Sequence, residues 1–429
     1  MATLIRYLDL DEISRRRELS ILIVLGVMEG FSWTLIKPML PLFAASLGAA
    51  ELVIGMIVAM PPLVQIFTRI QSGGMAVRFG KRRMIITSFV VTMTGAAMFA
   101  LTKSVPILFV AQVFVALGES LFWPANWAYV TSLAPRRQQG KVVALVMAVQ
   151  GGFGILMPYI GGRIFDLQGF WLNGLLYAVF AGIGLVTAFR LPVVEPAARG
   201  EAATALGESQ PPGTGGTAPK PVKLAGARAL LAREWVLLAA WGGTIIFFSW
   251  GIHGAFYPIY VRSLGYTATT VGLLATWQSL FVTVTRFWYA KAGDRFPVDR
   301  AMLTAIFINA FPLMLLPFVR TLPLLMVVAA VTGCAVSVIP VAIKTLYANA
   351  TADEERALAM GIDGVAMNAG ALVSPVLAGA AAQSIGIPAT FFAGNMLTLI
   401  ALALARTVSR SKAVAKLLSG REPEPAVAP

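Results

Sequence analysis

Two stretches of this sequence decide its fold: GVMEGFSWTLIKPMLPLFAASLGAAELVIG at residues 26–55 and GTIIFFSWGIHGAFYPIYVRSLGYTATTVG at residues 243–272. Both contain Phe-Ser-Trp, a later proline and Ser-Leu-Gly, and they align without a gap at an offset of 217 residues. In this register 16 of the 62 positions from 26 to 87 are identical. Tryptophan, proline and arginine residues that match at one offset indicate an internal duplication, which shared apolar composition alone would not produce.

The composition excludes an ordinary soluble protein. Apolar side chains make up 58% of the 429 residues and charged ones 13%, and the mean hydropathy is +0.77, whereas soluble domains carry about 25% charged residues. One cysteine (Cys334) and one histidine cannot form a disulfide, zinc or haem site. No phosphate-binding Gly-Lys-Ser/Thr loop is present. We therefore expect a membrane protein without a cofactor or metal, and not an enzyme.

Twelve long apolar runs surround the duplicated stretches. A bilayer core of about 30 Å is crossed by about 20 apolar residues in a helix, which satisfies its own backbone hydrogen bonds. A β-barrel would instead need short alternating segments. The runs lie at 19–43, 52–74, 84–102, 106–131, 141–162, 170–190, 235–260, 268–290, 301–319, 323–347, 358–381 and 388–407.

A polar segment divides the twelve runs into two sets of six. Residues 191–234 are rich in Pro, Gly, Ala and Thr, a composition typical of a flexible linker. The sequence thus predicts an N-terminal segment at 1–18, a six-helix bundle at 19–190, a second bundle at 235–407 and a tail at 408–429.

The positions of Lys and Arg predict the orientation in the membrane. Of the 34 such residues, 26 lie in segments on the side of the N-terminus, 4 lie in the opposite loops, and the rest fall within the runs. By the positive-inside rule, both termini are expected to be cytoplasmic in a multi-pass protein of the cell membrane. The net charge of +14 then reflects a membrane surface and not nucleic acid. We expect a monomer.

Three segments carry motifs of a known family. GGMAVRFGKR at 73–82 follows the second run, AKAGDRFP at 290–297 follows the eighth, and GILMPYIGG at 154–162 lies in the fifth. They resemble the loop motif and the antiporter signature of the major facilitator superfamily. Val77 replaces the aspartate of the loop motif, and Met157 replaces the first glycine of Gly-Pro in the signature.

The resemblance implies a fold and a mechanism. The fold is an all-α membrane protein with twelve transmembrane helices in two pseudo-symmetric six-helix bundles, which rock around a central cavity lined by spans 1, 4, 7 and 10. A parallel repeat of this kind is typical of alternating-access transporters. Gln112 stands roughly where the drug–proton antiporters of the family have an arginine. The implied helix-packing motif consists of Gly154, Pro158, Gly161 and Gly162.

Four titratable residues in the runs are candidates for proton coupling. Charges within a membrane are costly and therefore functional candidates. Glu29 comes first, because a buried carboxyl group can alternate between a protonated state and an ion pair; the alternative is a fixed ion pair with Lys344. Glu119 is second. His253 is either a proton carrier or a hydrogen-bonding core residue, and Asp363 either takes part or faces cytoplasmic water.

Aromatic, amide and amine side chains recur at helical spacing on the spans that the resemblance assigns to the cavity. They would form a substrate site that stacks on an amphipathic or ring-bearing molecule, while Lys37 and Lys344 would suit an anion. Buried aromatic packing accounts for each tryptophan separately about as well. The candidates on these spans are Trp33, Lys37, Trp123, Asn126, Trp127, Trp250, Tyr257 and Lys344, and Trp277 on span 8 is a further candidate for stacking.

Basic residues recur near the predicted cytoplasmic ends of spans 2 and 8. Arg69 and Arg286 occupy equivalent positions in the repeat, as do Arg78 and Arg295, which favours a shared role at a cytoplasmic gate over substrate binding. Asp294 remains where Val77 has lost its carboxylate, so we expect a single latch at Asp294, holding a helix N-terminus of the opposite half.

These features favour a secondary transporter whose partners are a small-molecule substrate, protons and the lipid bilayer. Proton-coupled efflux of an amphipathic molecule is the first hypothesis, because of the partial antiporter signature, the tryptophans and the membrane carboxylates. Proton-coupled uptake of an anionic or sugar-like metabolite is the alternative, favoured by Lys37 and Lys344. A non-transporting sensor or scaffold is a further alternative.

Overall fold

The structure, a computed structural model, describes most of the two predicted bundles. The predicted N-terminal segment, the linker and the tail lie almost wholly outside the described residues, as does the latch candidate Asp294. The described residues are 15–133, 139–192, 230–231, 233–292, 296–351 and 353–409.

The described helices form two compact units. The first unit comprises the described residues of Met1–Gly216 and also those of Gly254–Thr276. The helical residues 254–263 and 268–276 therefore belong to it. Its other helices are α1 (Arg16–Ile36), α2 (Leu40–Ser46), α3 (Glu51–Phe79), α4 (Lys81–Leu101), α5 (Val105–Ser132), α6 (Gln139–Gly154), α7 (Met157–Gln168) and α8 (Phe170–Phe189).

The second unit comprises the described residues of Thr217–His253 and Trp277–Pro429. The helices of this half of the chain are α9 (Glu234–Ser263), α10 (Ala268–Ala292), α11 (Val298–Met314), α12 (Leu322–Ala350), α13 (Asp353–Ile385) and α14 (Ile387–Ser409). The second unit therefore holds most of α9 and α10 and all of the later helices.

The twelve predicted membrane spans are confirmed as helices, and the described residues contain no strand. Spans 1 and 5 are each divided between two helices, α1 with α2 and α6 with α7. Within the described ranges, ten spans are long and apolar enough to cross a membrane by length and composition. The other two are α10, which carries several Thr, Ser and Gln side chains, and α11, which has 17 residues and leads into a 3₁₀ turn at Leu316–Phe318.

The Ser-Leu-Gly turns of the duplication have the same geometry. Ser46 Oγ donates to the Phe43 carbonyl at 2.7 Å, and Ser263 Oγ donates to the Tyr260 carbonyl at 2.7 Å. The following glycines, 48 and 265, have φ of 79° and 90°, in the left-handed region that favours glycine. The duplication therefore preserves the backbone turn that ends the first span of each repeat.

Small residues bring the helices of the first unit close together. A Cβ at Gly95 on α4 would lie 2.8 Å from the Ala111 carbonyl oxygen of α5, and one at Gly184 on α8 would overlap the Phe89 ring. In lipid, helices associate through such close packing, because apolar side chains gain little from leaving the bilayer. Each unit has its own apolar core, which contains Phe89, Phe122 and Tyr129 in the first and Met302, Ile306 and Tyr347 in the second.

The second unit also contains a buried polar network. Ser249 Oγ on α9 donates to Asn395 Oδ1 at 2.9 Å and accepts from Asn309 Nδ2 at 3.2 Å. The three side chains are almost fully buried. The network links three helices, α9, α11 and α14, by hydrogen bonds between uncharged groups.

Candidate functional site

Two buried carboxyl groups lie at the centre of the first unit. Glu29 on α1 and Glu119 on α5 have exposed fractions of 2% and 7%, and the two groups interact electrostatically. Gln65 on α3 donates from its amide Nε2 to Glu119 Oε2 at 3.3 Å. Three helices therefore contribute to one buried polar cluster.

Two further side chains complete this carboxylate cluster. The Lys37 ammonium group lies 5.0 Å from the centroid of the Trp33 ring, a cation–π geometry, and interacts electrostatically with Glu119. The hydroxyl group of Tyr177 on α8 is fully buried and interacts with both carboxyl groups. Neither this hydroxyl nor Glu29 Oε1 has a hydrogen-bond partner among the described residues. The cluster thus contains polar atoms that are available to a proton or a ligand.

Two prolines in α3 explain how the cluster is positioned. Pro61 has no backbone N–H, so the carbonyl of Ile57 four residues earlier has no donor within the helix. Gln112 on α5 donates its Nε2 to that carbonyl at 3.3 Å. Two turns further along both helices, Gln65 meets Glu119. Gln112 therefore connects α3 and α5 in register.

The aromatic candidates of span 4 form a stack on α5. The rings of Trp123 and Trp127 lie 6.1 Å apart with an interplanar angle of 21°. Both side chains are half-buried. Asn126, between them in sequence, is fully buried, and neither atom of its amide group has a hydrogen-bond partner among the described residues. Its amide is therefore a further buried polar group without a hydrogen-bond partner in the described part of the chain.

The remaining cavity candidates are spread over both units. On α9, Trp250 packs on Phe247 with ring centroids 4.8 Å apart, His253 is half-buried, and Tyr257, which belongs to the first unit, is buried. In the second unit Lys344 on α12 is exposed. There Trp277 also contacts Phe281 edge to face, at 5.3 Å.

Asp363 and the gate candidates lie elsewhere in the structure. Asp363 on α13 is buried and interacts electrostatically with Tyr347 of the same unit. Arg286 is exposed on α10. Arg69 and Arg78 lie on α3, but their side chains are not among those described, and Arg295, like Asp294, lies outside the described residues.

The residues of the packing motif line a tight contact within the first unit. A Cβ at Gly161 would lie 2.5 Å from the Leu35 carbonyl oxygen, and a Cβ at Gly162 would overlap the carbonyl oxygen of Ala268 on α10. The Pro158 carbonyl oxygen in turn occupies the space where a Cβ of Gly272 would lie. At Gly154, in contrast, a Cβ would have no described atom within 4 Å. The last three residues of the motif therefore lie where α7 touches α1 and the first turns of α10.

An aspartate that the sequence did not single out caps this contact. Asp166, near the end of α7, accepts hydrogen bonds from the backbone N–H groups of Ala268 at 3.0 Å and Thr269 at 2.7 Å, and from the Thr269 hydroxyl at 2.6 Å. Arg262 lies 3.7 Å from the same carboxylate. A carboxylate at a helix N-terminus satisfies free N–H groups and interacts favourably with the helix dipole. Asp166 therefore connects the C-terminal end of α7 to the N-terminus of α10.

A family model for the Major Facilitator Superfamily matches residues 22–249 and 239–428. The two matches meet near the middle and cover nearly the whole chain. The chain belongs to the Major Facilitator Superfamily. The expected resemblance is thereby confirmed, and so is a fold of twelve membrane helices.

Relatives within the Major Facilitator Superfamily are similar over most or part of the chain. A multidrug resistance protein MdtH of Aeromonas hydrophila is 23% identical over 371 residues, which are 84% of this chain and 85% of the relative. Another MdtH, of Yersinia pestis, is 28% identical over 180 residues, 41% of this chain and 44% of the relative.

Solved structures support the fold. A nucleoside transporter NupG mutant has a TM-score of 0.75 at 13% identity and covers 91% of this chain and 99% of its own. A bacterial homologue of the lysosomal transporter Spinster, in an inward-facing and occupied conformation, has a TM-score of 0.72 at 14% identity, with 96% and 99% coverage. As a member of the Major Facilitator Superfamily, the protein is a multi-pass membrane transporter of small molecules and not an enzyme.

The carboxylate cluster has no counterpart in the second repeat of this Major Facilitator Superfamily chain. At the offset of 217 residues, Glu29 corresponds to Ile246, Glu119 to Val336 and Lys37 to Gly254. The duplication has therefore kept turn and packing residues in both halves, while the ionisable residues of the cluster occur in the first half alone.

Proposed function

We propose that the protein exports an amphipathic small molecule across the bacterial inner membrane in exchange for protons, by alternating access, with both termini in the cytoplasm. The observation that carries the proposal is the carboxylate cluster of the first unit. Two adjacent buried carboxyl groups are stable when one of them holds a proton. Such a pair can take up a proton from one side of a membrane and lose it to the other when its exposure changes.

The relatives and the aromatic side chains support the direction and the kind of substrate. The two relatives above are named multidrug resistance proteins, which favours export. Trp123 and Trp127 offer stacked ring faces on the helix that carries Glu119, and aromatic faces bind planar or cationic molecules. The uptake of an anion is less well supported, because Lys37 already interacts with Glu119 and with the Trp33 ring.

Transport of ethidium, a planar aromatic cation, into everted membrane vesicles tests the proposal. Energised vesicles that contain the protein are expected to accumulate the dye, and an uncoupler should abolish the accumulation. Glu29→Gln should abolish it as well, because an amide cannot exchange a proton at neutral pH. Glu51→Gln, the same change at the first residue of α3 and outside the cluster, is the matched control and should leave the rate unchanged.

Two results would contradict the proposal. Proton-driven accumulation that persists in Glu29→Gln would remove the coupling role of Glu29. Accumulation in right-side-out vesicles and not in everted ones would favour the uptake symporter instead. The gate residues Arg69, Arg78, Arg286 and Arg295, with the latch at Asp294, remain part of the proposal as the cytoplasmic closure.

A further inference from the structure

The two carboxyl groups of the cluster have different surroundings. Glu119 accepts a hydrogen bond from the Gln65 amide at 3.3 Å and interacts with the Lys37 ammonium group. Glu29 Oε1 has no hydrogen-bond partner among the described residues, although Glu29 is almost fully buried. An ionised carboxylate without donors is costly in an apolar core, whereas donors and a nearby cation favour ionisation.

We propose that Gln65 is a positioning residue that keeps Glu119 ionised and thereby assigns the exchangeable proton of the cluster to Glu29. This inference rests on the proposed function, of which it specifies the proton site. The Gln65 N–H stabilises the charged form of Glu119 more than the neutral form. If Gln65 is replaced by a side chain of similar size that has no N–H donor, Glu119 loses this stabilisation of its charged form. The pair of Glu29 and Glu119 then binds a proton more tightly.

The register between α3 and α5 makes this contact specific. Pro61 leaves the carbonyl of Ile57 without a donor in α3, and Gln112 on α5 donates to this carbonyl, which fixes the register of the two helices. Gln65 lies one turn after the prolines. Gln65 and Gln112 are thus two amides across the same pair of helices. One of them donates to a carboxylate and the other to a backbone carbonyl.

The other charged and titratable groups near the pair come from several helices. Lys37 and Tyr177 interact with it directly. Arg69 follows Gln65 by one turn on α3. The helices packed on α1, α3 and α5 contribute Lys81, Arg82 and Arg83 at the start of α4, Lys141 in the first turn of α6, and Arg163 and Asp166 on α7.

Infrared difference spectroscopy of the purified full-length protein in lipid nanodiscs tests the inference without a substrate. The C=O stretching band of a protonated carboxyl group is followed as a function of pH. Glu29→Gln should remove the band that belongs to the cluster, and Glu119→Gln should leave it. Gln65→Leu should move the titration midpoint of the pair upward by up to about one pH unit, because the hydrogen bond lost at Glu119 is worth about tenfold in the proton affinity of that carboxyl group.

Gln278→Leu is the matched control, since it makes the same substitution between two helices of the second unit, α10 and α12, where Gln278 Nε2 donates to the Thr332 hydroxyl at 3.0 Å and not to a carboxylate. It is expected to lower thermal stability and to leave the titration midpoint unchanged. Gln65→Met provides a second variant without a donor and should reproduce the shift. Three results would overturn the inference: an unchanged midpoint in both Gln65 variants, an equal shift in Gln278→Leu, or a band that survives in Glu29→Gln. If the spectra are as expected but the vesicles do not accumulate ethidium, the proposed export is contradicted and the assignment of the proton to Glu29 is retained.

Discussion

Replacement of Asp166 by Ala is predicted to open the contact between α7 and the first turns of α10. The carboxylate caps this helix with hydrogen bonds of 2.7 and 3.0 Å to backbone N–H groups and one of 2.6 Å to the Thr269 hydroxyl. The loss of a side-chain cap costs about 0.5–2 kcal/mol. The partly exposed ion pair with Arg262, at 3.7 Å, adds about 0–1 kcal/mol. A total of about 2 kcal/mol corresponds to an increase of about 30-fold in the open population.

Cysteine labelling can measure this opening. Cys334 is the single cysteine, so Cys334→Ser provides a cysteine-free background into which Val271→Cys is introduced. Val271 is almost fully buried in the first turn of α10, and a maleimide can reach a cysteine there only after the contact opens. The labelling rate should then rise about 30-fold with Asp166→Ala, provided that reclosing is faster than labelling.

Two comparisons make the labelling result decisive. Asp166→Asn keeps one acceptor oxygen and should give an intermediate rate. Arg163→Ala changes an exposed residue one turn earlier on α7 and should leave the rate unchanged. A rate that rises less than about threefold in Asp166→Ala, or that rises equally in Arg163→Ala, would refute the role of Asp166 as the cap of α10.

Two further predictions concern packing. Gly162→Ala should reduce the yield of folded protein and lower its melting temperature in detergent by several degrees, because its Cβ would overlap a backbone oxygen of α10 and overpacking costs about 1–3 kcal/mol. Gly151→Ala, at a position where no described atom lies within 4 Å of the added Cβ, should change neither quantity. Equal losses in the two variants would contradict the packing argument. Ser249→Ala should lower the free energy of unfolding by about 1–3 kcal/mol, because two buried asparagine side chains lose the hydroxyl group to which both are hydrogen-bonded. Ser32→Ala, at the equivalent position of the first repeat, removes a bond within its own helix and should have a smaller effect on the melting temperature; a larger effect would refute the prediction.

The twelve spans and the duplication could be predicted from the sequence because they depend on quantities that a linear pattern carries. Apolar length indicates whether a segment crosses a bilayer. Matching tripeptides at one offset indicate a repeat, and the Ser-Leu-Gly turns show the same geometry at Gly48 and Gly265. Candidate residues on one helix could also be grouped, because Glu119, Trp123 and Trp127 recur at helical spacing.

The partners of the site residues could not be predicted. A helix that is apolar on every side carries no amphipathic pattern, so the sequence does not indicate which face meets a neighbour. Gln65 and Tyr177 were therefore missed as neighbours of Glu119, and Asp166 as the cap of α10. A signal was available at Pro61, since a proline within a helix leaves a carbonyl that another side chain must satisfy, and Gln112 does so.

The absence of the carboxylate cluster from the second repeat has a bioenergetic consequence. If Glu29 holds the one proton exchanged per cycle and the exported molecule is a monovalent cation, each turnover moves one positive charge in each direction. Such an exchange is electroneutral. A membrane potential of 100 mV, worth about 2.3 kcal/mol for each net charge moved, would then add nothing to the driving force for export, and the difference in pH alone would set the steepest concentration gradient that the protein can maintain.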